Sequence, residues 1–97
     1  MAETITDFDV AAHLNSDADV VEYLAAAFET GELADVTHAL ATIARVKGMT
    51  ETAKSAGLAR GSLYKAIGDS ANPTLSTLLS VLNALNVTLS VKPKLAA

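Results

Sequence analysis

The sequence predicts a mainly α-helical domain of five to six helices that ends in a single β-strand. Hydrophobic residues make up 51% of the 97-residue chain, dominated by Ala, Val and Leu, while aromatic residues make up 4%. That composition favours helices with small, close contacts. Between residues 20 and 85, apolar residues recur at helical spacing between glycine stops. Over residues 87–92 the period changes to strict alternation, which indicates a strand.

The first long helix is predicted to begin at a cap on Ser16 or Asp17 and to run to about Thr30, where Gly31 ends it. Its apolar residues recur every four positions and form one stripe: Val20, Leu24 and Phe28. Upstream, residues 8–14 (FDVAAHL) predict one or two further helical turns.

The second helix is predicted over residues 33–47, with Gly48 as its stop. Five apolar residues share its inner face: Leu33, Val36, Leu40, Ile43 and Val46. A short third helix over residues 50–56 is predicted to start at a Thr50 cap and to end at Gly57. A fourth helix over residues 60–67 then follows a tight turn.

A polar loop containing Pro73 separates the fourth helix from a fifth, which is predicted from a Thr74 cap to about Leu85. The fifth helix carries the clearest amphipathic pattern in the chain, formed by Leu75, Leu78, Leu79, Leu82 and Leu85.

The closing segment VTLSVK places Val87, Leu89 and Val91 on one face, and Pro93 closes it. A lone strand in a helical domain needs partners for its backbone donors and acceptors. We expect a second copy of the chain to supply them across a two-fold axis, which makes a homodimer. The alternative is an extended tail packed on the last helix.

Residues 50–67 form two short helices around a glycine turn, the pattern of a helix-turn-helix whose second helix enters the major groove of DNA. Ala53 is small where the two helices would cross, and Leu58 and Leu63 can anchor the turn and the second helix in the core. The alternative is an ordinary helical hairpin with a solvated basic face.

Seven residues of this unit are candidate DNA contacts: Thr50, Lys54, Arg60, Gly61, Ser62, Tyr64 and Lys65. Arg60 suits a bidentate pair with guanine, and Lys65 can reach a base or a phosphate. The hydroxyls of Ser62 and Tyr64 suit phosphate oxygens. Gly61 would let the backbone approach DNA closely. The two candidates on the preceding helix lie where a phosphate could meet a helix start.

The charges are divided along the chain. Residues 1–44 contain nine acidic residues and neither Lys nor Arg, whereas residues 45–97 contain seven basic residues and two acidic ones. Such a division suggests two surfaces with different partners. The alternative is a solvated acidic helix beside an ordinary mixed surface.

The stretch from residue 49 to residue 91 resembles the HigA-like "probable addiction module antidote" family, the antitoxins of type II toxin–antitoxin operons. The likeness is strongest in GLARGSLYKA, in NPTLSTLLSVLNAL and in the alternating end, and extends to FDVAAHL and DVVEYLAAAFETGE. It implies an Xre/Cro-type, lambda-repressor-like helix-turn-helix. Three positions depart from the family pattern: Ala59 replaces a usual Ser cap, Gly61 a usual helix former, and Thr52 a usual apolar residue.

The resemblance also implies a function: neutralising a small, basic toxin of the RelE/ParE/HigB kind and repressing the operon by binding operator DNA. Residues 1–31 would then be an acidic toxin-binding leader, and residues 32–97 the DNA-binding domain with its dimerisation strand over 87–92. The toxin contacts would be Asp7, Phe8, Asp9, Leu14, Asp19, Glu22 and Tyr23, with Leu24 and Phe28 as further apolar anchors. For Val20, Leu24 and Phe28 we favour the alternative, a role in the core.

Two other binding functions remain open, a free-standing Xre/Cro-like repressor without a toxin and a dimeric module that has lost DNA binding. We expect no enzyme, cofactor or metal site. The chain has no cysteine, and His13 and His38 have only an acidic residue one turn away, with no nucleophile or third ligand. The acidic N-terminus is unlike a signal peptide and no apolar run is long enough for a membrane helix, so we expect a soluble, cytoplasmic protein.

Overall fold

The computed structural model describes residues 13–95, and this part of the chain is mainly helical, as predicted. Its five helices are α1 (Asp17–Glu29), α2 (Leu33–Lys47), α3 (Met49–Ala56), α4 (Arg60–Ala66) and α5 (Leu75–Ala84). α1 packs against α2, and α3 contacts α2, α4 and α5. The predicted helical turns in FDVAAHL fall mostly on residues 8–12, which lie outside the described residues.

α1 begins with a complete capping box. Ser16 Oγ accepts the backbone N–H of Asp19 at 3.1 Å, and the Asp19 carboxylate accepts the N–H of Ser16 at 3.1 Å. Two amides that the helix itself leaves unsatisfied are thereby bonded. The predicted cap at Ser16 is confirmed, and the helix ends at Glu29, one residue short of the predicted end.

α2 runs through the centre of the core. Val36, Leu40 and Ile43 are buried as predicted, but Leu33 and Val46 are 44% and 41% exposed because they lie in the first and last turns. Thr37 and Thr42 are buried instead. Each donates its hydroxyl to a carbonyl one turn earlier, which satisfies the polar group inside the core.

α3 starts one residue earlier than predicted, and Thr50 is not its cap. Gly48 holds the N-cap position with a φ of 103°, and Thr50 is exposed in the first turn. Thr52 is buried although its side chain is polar, because its hydroxyl donates to the carbonyl of Gly48 at 2.8 Å. The departure from an apolar residue at this position therefore leaves no unpaired group in the core.

α5 is capped by Thr74, whose hydroxyl accepts the N–H of Thr77, as predicted. Leu82 and Leu85 are buried, but Leu75 and Leu79 are 65% and 44% exposed, so the predicted apolar stripe is only partly covered. The helix ends where Asn86 adopts a φ of 62°.

The predicted β-strand over residues 87–92 is absent from the single chain. Residues 87–95 form no strand, since no segment of the described chain pairs with them. The N–H of Val87 bonds instead to the carbonyl of Leu82, which completes the end of α5. Residues 87–92 face α1 across an apolar groove of about 280 Å³, and Lys92 pairs with Glu29.

None of the helices in residues 13–95 is long and apolar enough to cross a membrane.

Candidate functional site

The turn between α3 and α4 is a Schellman motif. Gly57 adopts the left-handed conformation, with a φ of 71°, and its N–H bonds to the carbonyl of Lys54. The N–H of Leu58 reaches the carbonyl of Ala53 at 2.9 Å. A residue with a Cβ would be strained at this φ, so glycine is the residue that permits α4 to begin only three residues after α3 ends.

The inner side of this unit is buried, as predicted. Leu63 is fully buried, Ala53, Ala66 and Ile67 are nearly so, and Leu58 packs against the same cluster. Ala53 on α3 is small enough for α4 to pack closely against it, and α3 and α4 are in contact. Burial of apolar side chains therefore holds a helix of seven residues, which would be too short to be stable alone.

The outer side of the unit is exposed. All seven candidate DNA contacts lie there: Thr50 and Lys54 on α3, and Arg60, Gly61, Ser62, Tyr64 and Lys65 on α4. α4 contains two basic residues and no acidic one, so its exposed face is positive in an acidic protein.

Two of these side chains contact each other. Arg60 Nη2 donates to the hydroxyl of Tyr64 at 3.2 Å, and the guanidinium carbon lies 5.5 Å from the centre of the tyrosine ring. From the sequence, Arg60 was predicted to contact guanine and Tyr64 to contact phosphate, and the contact between them was not predicted. Their spacing of four residues on a helix was the signal, because such residues are neighbours on one face.

The start of α4 is weakly supported by local interactions. Ala59 holds the N-cap position, and no side chain caps the helix there. Gly61 lies in the first turn, and a Cβ added to it would meet no atom within 4 Å. The structure therefore shows no close contact within the chain that requires glycine at this position.

The loop that follows α4 is tied to α2. The N–H of Gly68 donates to the carbonyl of Thr37 at 3.0 Å, and His38 Nδ1 lies 2.7 Å from a carboxylate oxygen of Asp69. The acidic residue one turn from His38 along its own helix is Asp35, but the carboxylate that contacts the imidazole is that of Asp69. Asp69 could not be found from local spacing, because it is 31 residues away in the chain.

The predicted toxin contacts are only partly available on the surface. Leu14 is buried in the core, and the Asp19 carboxylate is engaged in the capping box of α1. Glu22 is exposed and Tyr23 is half-buried. The other three, Asp7, Phe8 and Asp9, lie outside the described residues.

Val20 and Leu24 are buried in the core, which confirms the core role favoured for them. Phe28 is half-buried and packs against the same core cluster. The apolar stripe of α1 therefore serves the fold.

Two ion pairs within residues 13–95 join the acidic and basic halves of the chain. Lys47 at the end of α2 lies 3.8 Å from a carboxylate oxygen of Asp17 at the start of α1. Lys92 in the C-terminal segment pairs with Glu29 at the other end of α1. The acidic helix is thus flanked by lysines at both ends, and the exposed acid Glu22 lies on its middle turns.

Within residues 13–95, no group of three or more His, Asp or Glu side chains is placed to hold a metal ion.

Comparison with known proteins establishes the family. The family model for "Probable addiction module antidote protein" matches residues 4–93. The chain belongs to this family. It is also 38% identical over 92 residues to an uncharacterized protein of Haemophilus influenzae, and the match covers 95% of each chain. No solved structure matches the chain.

Membership of the antidote family confirms that part of the resemblance seen in the sequence. The name of the family describes an antitoxin, and an antidote implies a toxin as its partner. The match includes both the acidic helix α1 and the α3–α4 unit, so both lie within the region that the family model covers.

Proposed function

We propose that this protein is the antitoxin of a type II toxin–antitoxin module, which binds and neutralises a small basic toxin and represses its own operon. The observation that carries the proposal is the antidote family match over residues 4–93. We assign toxin binding to the acidic N-terminal part of the chain and operator binding to the α3–α4 unit.

Operator binding is assigned to α3, the turn and α4, acting as an Xre/Cro-type helix-turn-helix. The three-residue turn, the buried inner side of α4 and its exposed basic outer side support this assignment. In such a unit the second helix lies in the major groove and its N-terminal residues reach base edges. Arg60 is the first residue of α4, and Lys65 follows five residues later.

Toxin binding is assigned to the acidic N-terminal part of the chain. On α1, Glu22 is exposed, and Val21, which is 47% exposed, lines the groove beside the C-terminal segment, so a negative and an apolar group are exposed on neighbouring parts of this helix. Such a face complements a basic toxin in charge and offers some apolar area. Asp7, Phe8 and Asp9 extend the assignment upstream along the sequence.

A homodimer completes the proposal, since paired half-sites on DNA require a two-fold symmetric protein. Leu89 is 37% exposed and Val91 is 98% exposed, and their backbone is not paired within the described chain. A strand would form over this segment only when two copies pair. Val87 is the least available of the three predicted dimer contacts, because its N–H closes α5.

Point changes can separate the two activities better than deletion of residues 1–30, since Val20 and Leu24 are part of the core. The chain is co-expressed with the product of the neighbouring gene, and growth rescue, co-purification and a gel shift on its own promoter are measured. Arg60→Ala should weaken cognate binding by about 1–3 kcal/mol and leave rescue intact. Glu22→Lys should weaken toxin binding and leave the gel shift intact.

The control for Glu22→Lys is Glu51→Lys, which makes the same change of charge at an exposed position on α3. It should leave toxin binding unchanged. A wild-type chain that binds its promoter but neither rescues growth nor co-purifies with the neighbour would instead support a free-standing repressor. Equal loss by Arg60→Ala on cognate and random DNA would reassign that residue to phosphate contact.

The dimer is tested by Leu89→Pro, which removes a backbone donor from the pairing segment, with Leu89→Ala as the control for the side chain alone. Light scattering at micromolar concentration should show dimers for the wild type and monomers for the Pro variant. Dimers that survive the Pro substitution would exclude backbone pairing at this residue.

A further inference from the structure

The contact between Arg60 and Tyr64 has two components that act on the same guanidinium. One N–H of Nη2 is donated to the tyrosine hydroxyl at 3.2 Å, and the charged group lies over the ring at 5.5 Å from its centre. A cation over an aromatic ring at this distance is attracted to it. Together the two components restrict the direction in which the arginine side chain points.

Restriction matters more for Arg60 than for most arginines, because the start of α4 is otherwise poorly supported. The helix has no side-chain cap, and the residue after Arg60 is glycine. A free arginine side chain loses rotamer entropy when it is ordered at an interface. Tyr64 has only two side-chain torsions, so ordering it costs less entropy than ordering an arginine.

We propose that Tyr64 is a positioning residue that holds the guanidinium of Arg60 ready for a bidentate pair with guanine. This inference rests on the proposed function. It changes the role of Tyr64 from an independent phosphate contact to a determinant of base specificity that acts through Arg60.

The hydrogen-bonding capacity of the two groups permits this arrangement. A guanidinium has five N–H donors, and the bond to Tyr64 uses one of them. Two others remain for the O6 and N7 acceptors of guanine. The tyrosine hydroxyl accepts from Arg60, and its own proton stays free for a phosphate oxygen or water.

The test is a double-mutant cycle with two duplexes of equal length, one carrying the gene's own promoter and one a scrambled sequence. Tyr64→Leu should lower affinity for the promoter roughly tenfold and for the scrambled duplex less than about twofold, since it removes both components of the contact. Tyr64→Phe keeps the ring and should lower affinity for the promoter roughly threefold. In the Arg60→Ala background, Tyr64→Leu should cost nothing further.

Ser62→Ala is the matched control, since it removes an exposed hydroxyl from the same helix. The hydrogen bond of Arg60 goes to Tyr64 and not to Ser62. As a phosphate contact, Ser62 should lose affinity equally on both duplexes. The same equal loss for Tyr64→Leu, or an undiminished loss in the Arg60→Ala background, would overturn the positioning role.

A second measurement needs no DNA. The ring current of Tyr64 should shift the side-chain proton resonances of Arg60 upfield in the wild type and in Tyr64→Phe, but not in Tyr64→Leu. Identical Arg60 shifts in wild type and Tyr64→Leu would show that the contact is absent in solution and would overturn the inference. A wild type that shows the shift but does not prefer its promoter over scrambled DNA would refute operator binding, and the positioning role with it, while leaving the contact established.

Discussion

α1 and α4 begin in opposite ways. α1 has reciprocal bonds between Ser16 and Asp19 at its first turn and acidic residues at the end of the helix where the dipole favours them. α4 has Ala59 at the cap position and Gly61 in the first turn. α1 therefore carries its own start signal in the local sequence, whereas the start of α4 depends on what surrounds it.

The surroundings of α4 supply the support that its start lacks. The Schellman turn at Gly57 fixes where the chain enters the helix, and the bond from Gly68 to Thr37 fixes where it leaves. Between them, Leu63 is fully buried. The helix is thus held at its inner side and at both ends, while its outer first turn, where base contact is proposed, has the weakest local preference for helix.

The largest expected effect comes from removing the burial that holds α4. Leu63→Ala should lower the free energy of unfolding by about 2–5 kcal/mol, because it deletes a fully buried side chain and leaves a cavity. Urea unfolding followed by circular dichroism measures the loss. The exposed neighbour is the control, and Ser62→Ala should change stability by less than about 0.5 kcal/mol. Similar losses for both would show that α4 is not held by its inner side.

Removal of the cap of α1 and addition of a cap to α4 should change the free energy of unfolding in opposite directions. Ser16→Ala removes the cap of α1 and should cost about 1 kcal/mol, whereas Ala59→Ser gives α4 a cap and should stabilise by up to about 1 kcal/mol. Thermal unfolding of both variants beside the wild type decides the point. If Ala59→Ser brings no gain, the backbone at residue 59 does not suit a side-chain cap.

The sequence predicted the helices well because their signals are local. The bounds of α2 are those predicted, and Gly57 and Thr74 act as expected. The burial of helix ends was overestimated. Leu33 and Leu75 fit the apolar period, but they are the first residues of α2 and α5 and are exposed. Periodicity shows which face is apolar, but it does not show how far the neighbouring helices extend along it.

Contacts between distant residues were not predictable in the same way. The pairing of His38 with Asp69 and the position of the C-terminal segment beside α1 depend on how the helices pack. The predicted strand is absent from the single chain for a related reason: alternation shows that a segment could pair, but a strand exists only where a partner supplies the hydrogen bonds. For the candidate site, the sequence identified the exposed residues of α4, and the structure added the contact that links Arg60 to Tyr64.

The smallest expected effect tests whether the weak start of α4 serves DNA binding. Gly61→Ala should raise the free energy of unfolding by about 0.5 kcal/mol, since alanine favours helix and its Cβ meets no atom within 4 Å. If the backbone at Gly61 approaches DNA closely, the same methyl group should lower promoter affinity although the protein is more stable. Thermal unfolding and a gel shift on one preparation measure both, with Ala59→Ser as a variant that stabilises the same turn and leaves Gly61 unchanged. A rise in stability together with unchanged promoter affinity would separate the weak helix start from DNA binding, and would show that Gly61 weakens the start of α4 without serving the DNA contact.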